Sequence, residues 1–161
     1  MMLSQLCWID KYYHTREKRQ KMTAEVAQYG TGDATYQAAG GESGIRKLID
    51  TFYDIMATSG AYRDIWKLPP AENELSRDKL TLFLCGWMGG PKRYHEQYGS
   101  ISIPKVHAHL PVAGAEKDQW LACMNEALGR QGYPQSLVDY LITQLAVPAE
   151  HIRRQVSSLT S

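Results

Sequence analysis

The chain has 161 residues, 43% of them hydrophobic, and its 18 Lys+Arg against 17 Asp+Glu leave a formal charge of +1. That length builds one domain with a packed core, and so near-neutral a chain has no global basic field for holding nucleic acid. Cys7, Cys85 and Cys123 form no C-x-x-C pair and no run approaches the ~18 apolar residues of a membrane span, which excludes a disulfide framework, a four-thiolate zinc site and a spanning helix.

The first residues, MMLSQLCWID, turn charged at Asp10 with no small-residue cleavage site, so the expected compartment is the cytoplasm. Residues 1–33 read as an N-terminal extension, partly helical or flexible. Lys11 to Lys21 carries five Lys/Arg against Glu17 and no apolar stripe, which fits a solvated segment or a docking arm for an acidic partner. Met22 offers a second start.

From Ala34 the signals are helical. Ala34 to Ala39 is a short helix stopped by Gly40-Gly41, and Ser43 is the expected cap of the next. Ile45, Leu48, Ile49, Phe52 and Met56 recur in it at helical spacing, with Tyr53 at the interior edge and Gly60 at the end. Ala61 to Trp66 is a short helical piece before Pro69-Pro70. Glu74 to Met88 offers Leu75, Leu80, Phe83, Leu84 and Trp87 for burial and is stopped by Gly89-Gly90-Pro91. Pro91 to Tyr98 makes another short helix. Ser100 to Lys105 is irregular, with Ile101-Ser102-Ile103 the one hint of strand. Glu116 to Gly129 and Pro134 to Ala146 are the last helices, Pro148 ends the fold, and residues 148–161 form a polar tail. The class is all-α, with four substantial helices.

Four features invite chemistry: His107-Ala108-His109 between Pro104 and Pro111; the aromatics Tyr53, Trp66, Trp87 and Trp120; the two Gly-Gly pairs; and Lys92-Arg93. Singly, each has an ordinary structural explanation. An H-x-H pair without further ligands at zinc spacing is no zinc site, aromatic rings on helices fill cores, and Gly-Gly stops helices. No phosphate loop, G-x-S-x-G or H-E-x-x-H occurs.

In combination they say more. Phe52-Tyr53, the string W-M-G-G-P-x-x-Y from Trp87 to Tyr94, and E-K-D-x-W-L-x-C-M from Glu116 to Met124 occur in order. This pattern resembles the group II truncated globins, the 2-on-2 helical sandwich haemoglobins of bacteria and plants, over roughly Ala34 to Ala146. The resemblance implies a truncated globin domain over 34–147 and a b-type haem. An apolar cleft takes such a flat disc, one imidazole holds its iron, and cations meet its propionates.

The resemblance also implies roles. His107 is the expected iron ligand, because the spacing from the Gly-Gly-Pro motif and on to Trp120 is met there without gaps, and Ile103 then faces the haem one turn earlier. His109 is the alternative, since His109-Leu110-Pro111 resembles the string that follows the ligand in many relatives. Tyr53, Trp66 and Trp120 belong to the distal side, where an O–H or N–H can donate to a gas ligand carrying partial negative charge. Ser76, Leu80 and Phe83 line the cavity, and Lys92, Arg93 and Tyr94 meet the propionates. Two departures stand out: Trp66, where relatives usually carry Tyr, His or Phe, and Val106, where many carry an Arg before the ligand. The implied partners are O₂, NO and CO, with a reductase among candidate protein partners. No nucleic acid or membrane partner is expected, and the chain is expected as a monomer or weak homodimer. Nitric oxide detoxification or peroxidase-like turnover is the expected task. The alternatives are a haem-based sensor signalling through the N-terminal extension, and a globin-like protein that has lost its haem.

Overall fold

The computed structural model describes residues 29–66, 74–100 and 114–154, together with the helical backbone of 155–160. Every regular element among them is helical: α1 (Ala34–Ala38), α2 (Gly41–Thr58), a 3-10 turn (Gly60–Tyr62) running into α3 (Arg63–Trp66), α4 (Glu74–Trp87), α5 (Arg93–Tyr98), α6 (Gly114–Arg130) and α7 (Gln135–Thr160). No helix among the described residues is long and apolar enough to cross a membrane. The Ile101-Ser102-Ile103 segment lies outside the described residues.

Helix α2 organises the rest. Its Ile45, Leu48, Ile49, Phe52, Ile55 and Met56 are all buried, at the three- and four-residue steps that make one continuous face. That face is wide enough for two neighbours, and α2 packs against both α4 and α6, while α6 packs in turn against α7. Leu84 and Cys85 from α4, Cys123, Met124 and Leu128 from α6, and Leu137 and Leu141 from α7 complete the core. Each large apolar side chain removed from water there contributes roughly 1.5–3 kcal/mol.

Glycines near the helix ends do more than stop helices. A Cβ on Gly44, in the first turn of α2, would lie 2.2 Å from the Ala39 carbonyl oxygen, so α1 folds back onto α2 only if that position has no side chain. A Cβ on Gly90 would lie 2.5 Å from the Tyr36 ring, and the backbone N–H of Tyr36 donates to the Met88 carbonyl at 3.1 Å. Both corners are places of close backbone approach.

Several boundaries shift from the sequence expectation, α5 for one opening at Arg93 rather than Pro91, and two of the shifts bear on the packing. Helix α2 begins at Gly41 with Gly40 as its N-cap at φ 91, so Ser43 lies inside the first turn rather than capping it. The last helix does not stop before Pro148 but runs through it to Thr160. Proline removes one ladder hydrogen bond and crowds the preceding turn. Here the helix beyond it is tethered: Lys117 on α6 donates to Glu150 at 3.1 Å, and Arg153 and Arg154 donate to the same carboxylate at 2.9 and 3.1 Å. The start of the described chain is also fastened, since Tyr29 stacks at a tilt on Tyr140 of α7 with ring centroids 5.3 Å apart.

Candidate functional site

Helix α4 carries two kinds of face. Thr81, Leu82, Leu84 and Cys85 are buried. Ser76, Leu80, Phe83 and Trp87, at steps of four, three and four, share another stripe and are all only half-buried. Leu80, Phe83 and Trp87 border the core without being sealed by it. A stripe of large apolar groups packed on the core but not sealed by it is a candidate wall for a flat apolar ligand.

Aromatic residues of α2, α3 and α6 extend that core border. Phe52 is fully buried and meets two rings edge-on, Tyr53 with centroids 5.3 Å apart and Trp120 of α6 at 5.4 Å. Tyr53, Trp66 and Trp120 are each half-buried against the same core, Trp66 at the end of α3, which packs on α6. The two expected polar donors, the Tyr53 O–H and the Trp120 N–H, thus flank one buried phenylalanine.

Within the stripe Phe83 meets the Tyr94 ring edge-on at 6.1 Å, and Tyr94 in turn stacks at a tilt on Tyr98 at 5.0 Å. The structure therefore brings Tyr94 to the α4 stripe. Arg93 turns elsewhere, its guanidinium pairing with Glu42 in the first turn of α2. Lys92 is exposed beside it. His107, Ile103 and the alternative His109 lie outside the described residues, as do Lys105 and Val106. Among the described residues no three His, Cys, Asp or Glu side chains gather as a metal-holding group.

A separate cleft of about 280 Å³ opens between α2, α4 and α5, lined by Glu42, Arg46, Asp78, Thr81 and Arg93 among others. Its guanidiniums are matched by carboxylates, Arg46 pairing with Asp50, Glu74 and Asp78. So charged a lining suits water and ions, and the apolar stripe lies on another face of α4. Neither described thiol is a nucleophile: burial, then the nearby Glu42 carboxylate, pushes Cys85 up to about 11, and burial, then Glu126, pushes Cys123 up to about 12.

Sequence reasoning missed Arg77. Its guanidinium lies over the Tyr53 ring, 5.5 Å from the centroid, and is bonded to Asp50 and Asp54. The available signal was the pair of carboxylates one turn apart on α2, on either side of Tyr53.

Comparison with known proteins gives consistent relatives. The family model for bacterial-like globins matches residues 34–154. The chain is 29% identical over 126 residues to the group 2 truncated haemoglobin YjbI of Bacillus subtilis, covering 78% of this chain and 92% of that one. The group II 2-on-2 haemoglobin of Agrobacterium tumefaciens superposes with a TM-score of 0.70 at 28% identity, over 74% of this chain and 92% of its own. A truncated oxygen-avid haemoglobin of Bacillus subtilis superposes at 0.65 and 29% identity, over 73% and 97%.

Proposed function

The chain belongs to the bacterial-like globin family, with its likeness among the group II truncated haemoglobins, and on that premise we propose that it holds a b-type haem and binds O₂, NO and CO. The observation that carries this reading is the half-open stripe of Ser76, Leu80, Phe83 and Trp87 on α4, on a core border that also includes Tyr53, Trp66 and Trp120. These residues fit the cofactor: a flat apolar disc needs an apolar wall, and within the stripe only Ser76 brings a hydroxyl.

When bound, haem supplies an iron that takes a diatomic gas as ligand. The work of the chain is to hold the disc and to choose the gas. His107 is the proposed iron ligand, ahead of His109, with Ile103 facing the disc one turn earlier. Leu80 and Phe83 exclude water from the wall. The Tyr53 O–H and the Trp120 N–H would donate hydrogen bonds to a bound gas, Ser76 would add a third small donor, and the bulk of Trp66 would narrow the cavity. Arg93 is engaged by Glu42, which leaves Lys92 and Tyr94 as the first partners for the propionates.

Donors fixed on one side of a bound gas favour polarised O₂ over CO and slow its escape. Slow release suits oxidation of NO or turnover of peroxide, with a reductase returning electrons, better than delivery of O₂. The oxygen-avid relative from Bacillus subtilis supports the affinity side of this reading. The test is the absorption spectrum of the full chain in its ferric, ferrous and CO forms. A haem globin shows a Soret band that moves on reduction and again on adding CO, reversibly. A colourless protein after haem-supplemented expression contradicts the proposal.

A further inference from the structure

Arg77 lies between two carboxylates of α2 that stand one helical turn apart. Its Nη1 donates to Asp50 Oδ1 at 3.1 Å and to the Asp50 carbonyl at 3.3 Å, and its Nη2 donates to Asp54 Oδ1 at 2.9 Å. Tyr53 leaves α2 between those two residues, and the guanidinium carbon stands 5.5 Å from its ring centroid. Only 15% of the Arg77 side chain is exposed, against 40% for Asp50 and 68% for Asp54. The carboxylates are the wet end of the arrangement and the arginine, against the ring, is the sheltered part.

A cation within ~6 Å of an aromatic centroid is attracted by the π face, more strongly where water is excluded. Arginine suits this arrangement better than lysine, because its planar fork can bond two carboxylates while its face lies on a ring. The ring pays in electron density, which polarises the phenolic O–H and makes it a better donor. A ring pinned from one side also keeps its hydroxyl in one place, although the O–H still turns about its own bond.

We propose that Arg77 is a positioning residue for Tyr53, clamping its ring and strengthening its hydroxyl as a donor to the bound gas, so that it raises selectivity for polarised O₂ over CO. The inference rests on the haem reading for what the hydroxyl donates to. The clamp itself does not depend on it.

The experiment uses the full chain with Arg77→Met, which keeps length and loses the cation, and Arg77→Lys, which keeps the charge without the fork. Asp54→Asn loosens one tether at an exposed position and guards against a folding failure in the other two. Three readouts are taken: dissociation rates of O₂ and CO, the C–O stretching frequency of the CO adduct, and the ¹⁹F resonance of 3-fluorotyrosine placed at Tyr53. Arg77→Met is expected to speed O₂ dissociation about two- to fivefold, within what the strength of a cation–π contact allows, and CO dissociation by less than about twofold. The C–O stretch should rise, the ¹⁹F resonance should shift or broaden, and Asp54→Asn should show part of each change. In a Tyr53→Phe background the Arg77→Met effect on O₂ should vanish. The same acceleration in that background, or an unmoved C–O band and ¹⁹F resonance, overturns the proposal. If the wild-type chain takes up no haem, the proposed function falls, and the ¹⁹F resonance decides the clamp: displaced by Arg77→Met it stands, unchanged it fails.

Discussion

The Trp120 ring meets the fully buried Phe52 ring edge-on, 5.4 Å between centroids, and so the indole is braced by the core from behind. A braced N–H is a donor with a fixed direction. Tyr53 also leans on Phe52, at 5.3 Å, but its hydroxyl hydrogen rotates and can be diverted to Ser76 or water. A hydrogen bond to a polarised acceptor contributes about 1.5–3 kcal/mol, roughly ten- to a hundredfold in a rate. Trp120→Phe is therefore expected to accelerate O₂ dissociation more than Tyr53→Phe, with CO responding less to either and the double mutant non-additive because both donors share one acceptor. Stopped-flow dissociation of both gases checks this; equal effects on O₂ and CO would mean that the side chains act by blocking the exit.

Stability should be sensitive where α1 turns into α2. The Tyr133 hydroxyl, part-buried, donates to the Ala39 carbonyl at 2.6 Å, and the same carbonyl oxygen leaves no room for a Cβ on Gly44. Tyr133→Phe should cost about 1 kcal/mol, and Gly44→Ala about 1–3 kcal/mol through overpacking against backbone that cannot move aside. Urea denaturation measures both; an unchanged midpoint for Gly44→Ala would show that α1 is not seated on α2 in this way.

Alkaline pH should unfold the protein through its buried thiols and phenol. Burial is the main cause of the raised Cys85, Cys123 and Tyr62 values, at about 11, about 12 and about 12, and the Tyr62 hydroxyl also donates to Glu126 at 2.9 Å. A raised folded value means that the fold favours the protonated form. The contribution is fully present below the ordinary values, 9.0 for the thiols and 10.0 for the phenol, and is lost as pH rises through them toward the folded ones. The urea midpoint should hold steady to about pH 9 and then fall. Tyr62→Phe should flatten the part of that fall above about pH 10. A midpoint indifferent to pH across this range contradicts the buried placement of all three groups.

Much of this arrangement was legible in the sequence, and the reasons are local. Ile45, Leu48, Ile49, Phe52 and Met56 all lie on the buried face that their spacing predicts. The predicted helix over Glu74 to Met88 is helical from the first residue described there to Trp87, one residue before the predicted end. What failed were positions decided by tertiary contacts. Ser43 carries a good capping side chain, but the helix starts three residues earlier, with Gly40 as its cap and the Ala39 carbonyl seated against Gly44. Pro148 carries a strong stop signal, but Glu150 gathers Lys117, Arg153 and Arg154 around the helix beyond it. Arg77 was passed over because an arginine on an amphipathic helix reads as a solvated charge, and the carboxylates flanking Tyr53 point to it only once the fold brings α4 onto α2.

The iron ligand separates two neighbouring histidines. A metal-bound imidazole needs its second ring nitrogen held by an acceptor, and only one of His107 and His109 is expected to meet both demands. His107→Ala should abolish or scramble haem binding, while His109→Ala keeps a normal spectrum. The reverse pattern, read by absorption of the two purified variants, hands the role to His109.

The most direct test of the account is a titration of hemin into the apo form of the full chain, following the Soret band and tryptophan fluorescence together. Trp66, Trp87 and Trp120 all border the proposed cleft and are three of the four tryptophans in the chain, so bound haem should quench most of the emission. The account predicts that Soret growth and quenching saturate together at one haem per chain. Unsaturable quenching, with the spectrum of free hemin throughout, would show that the α4 stripe does not hold haem and would contradict the central claim.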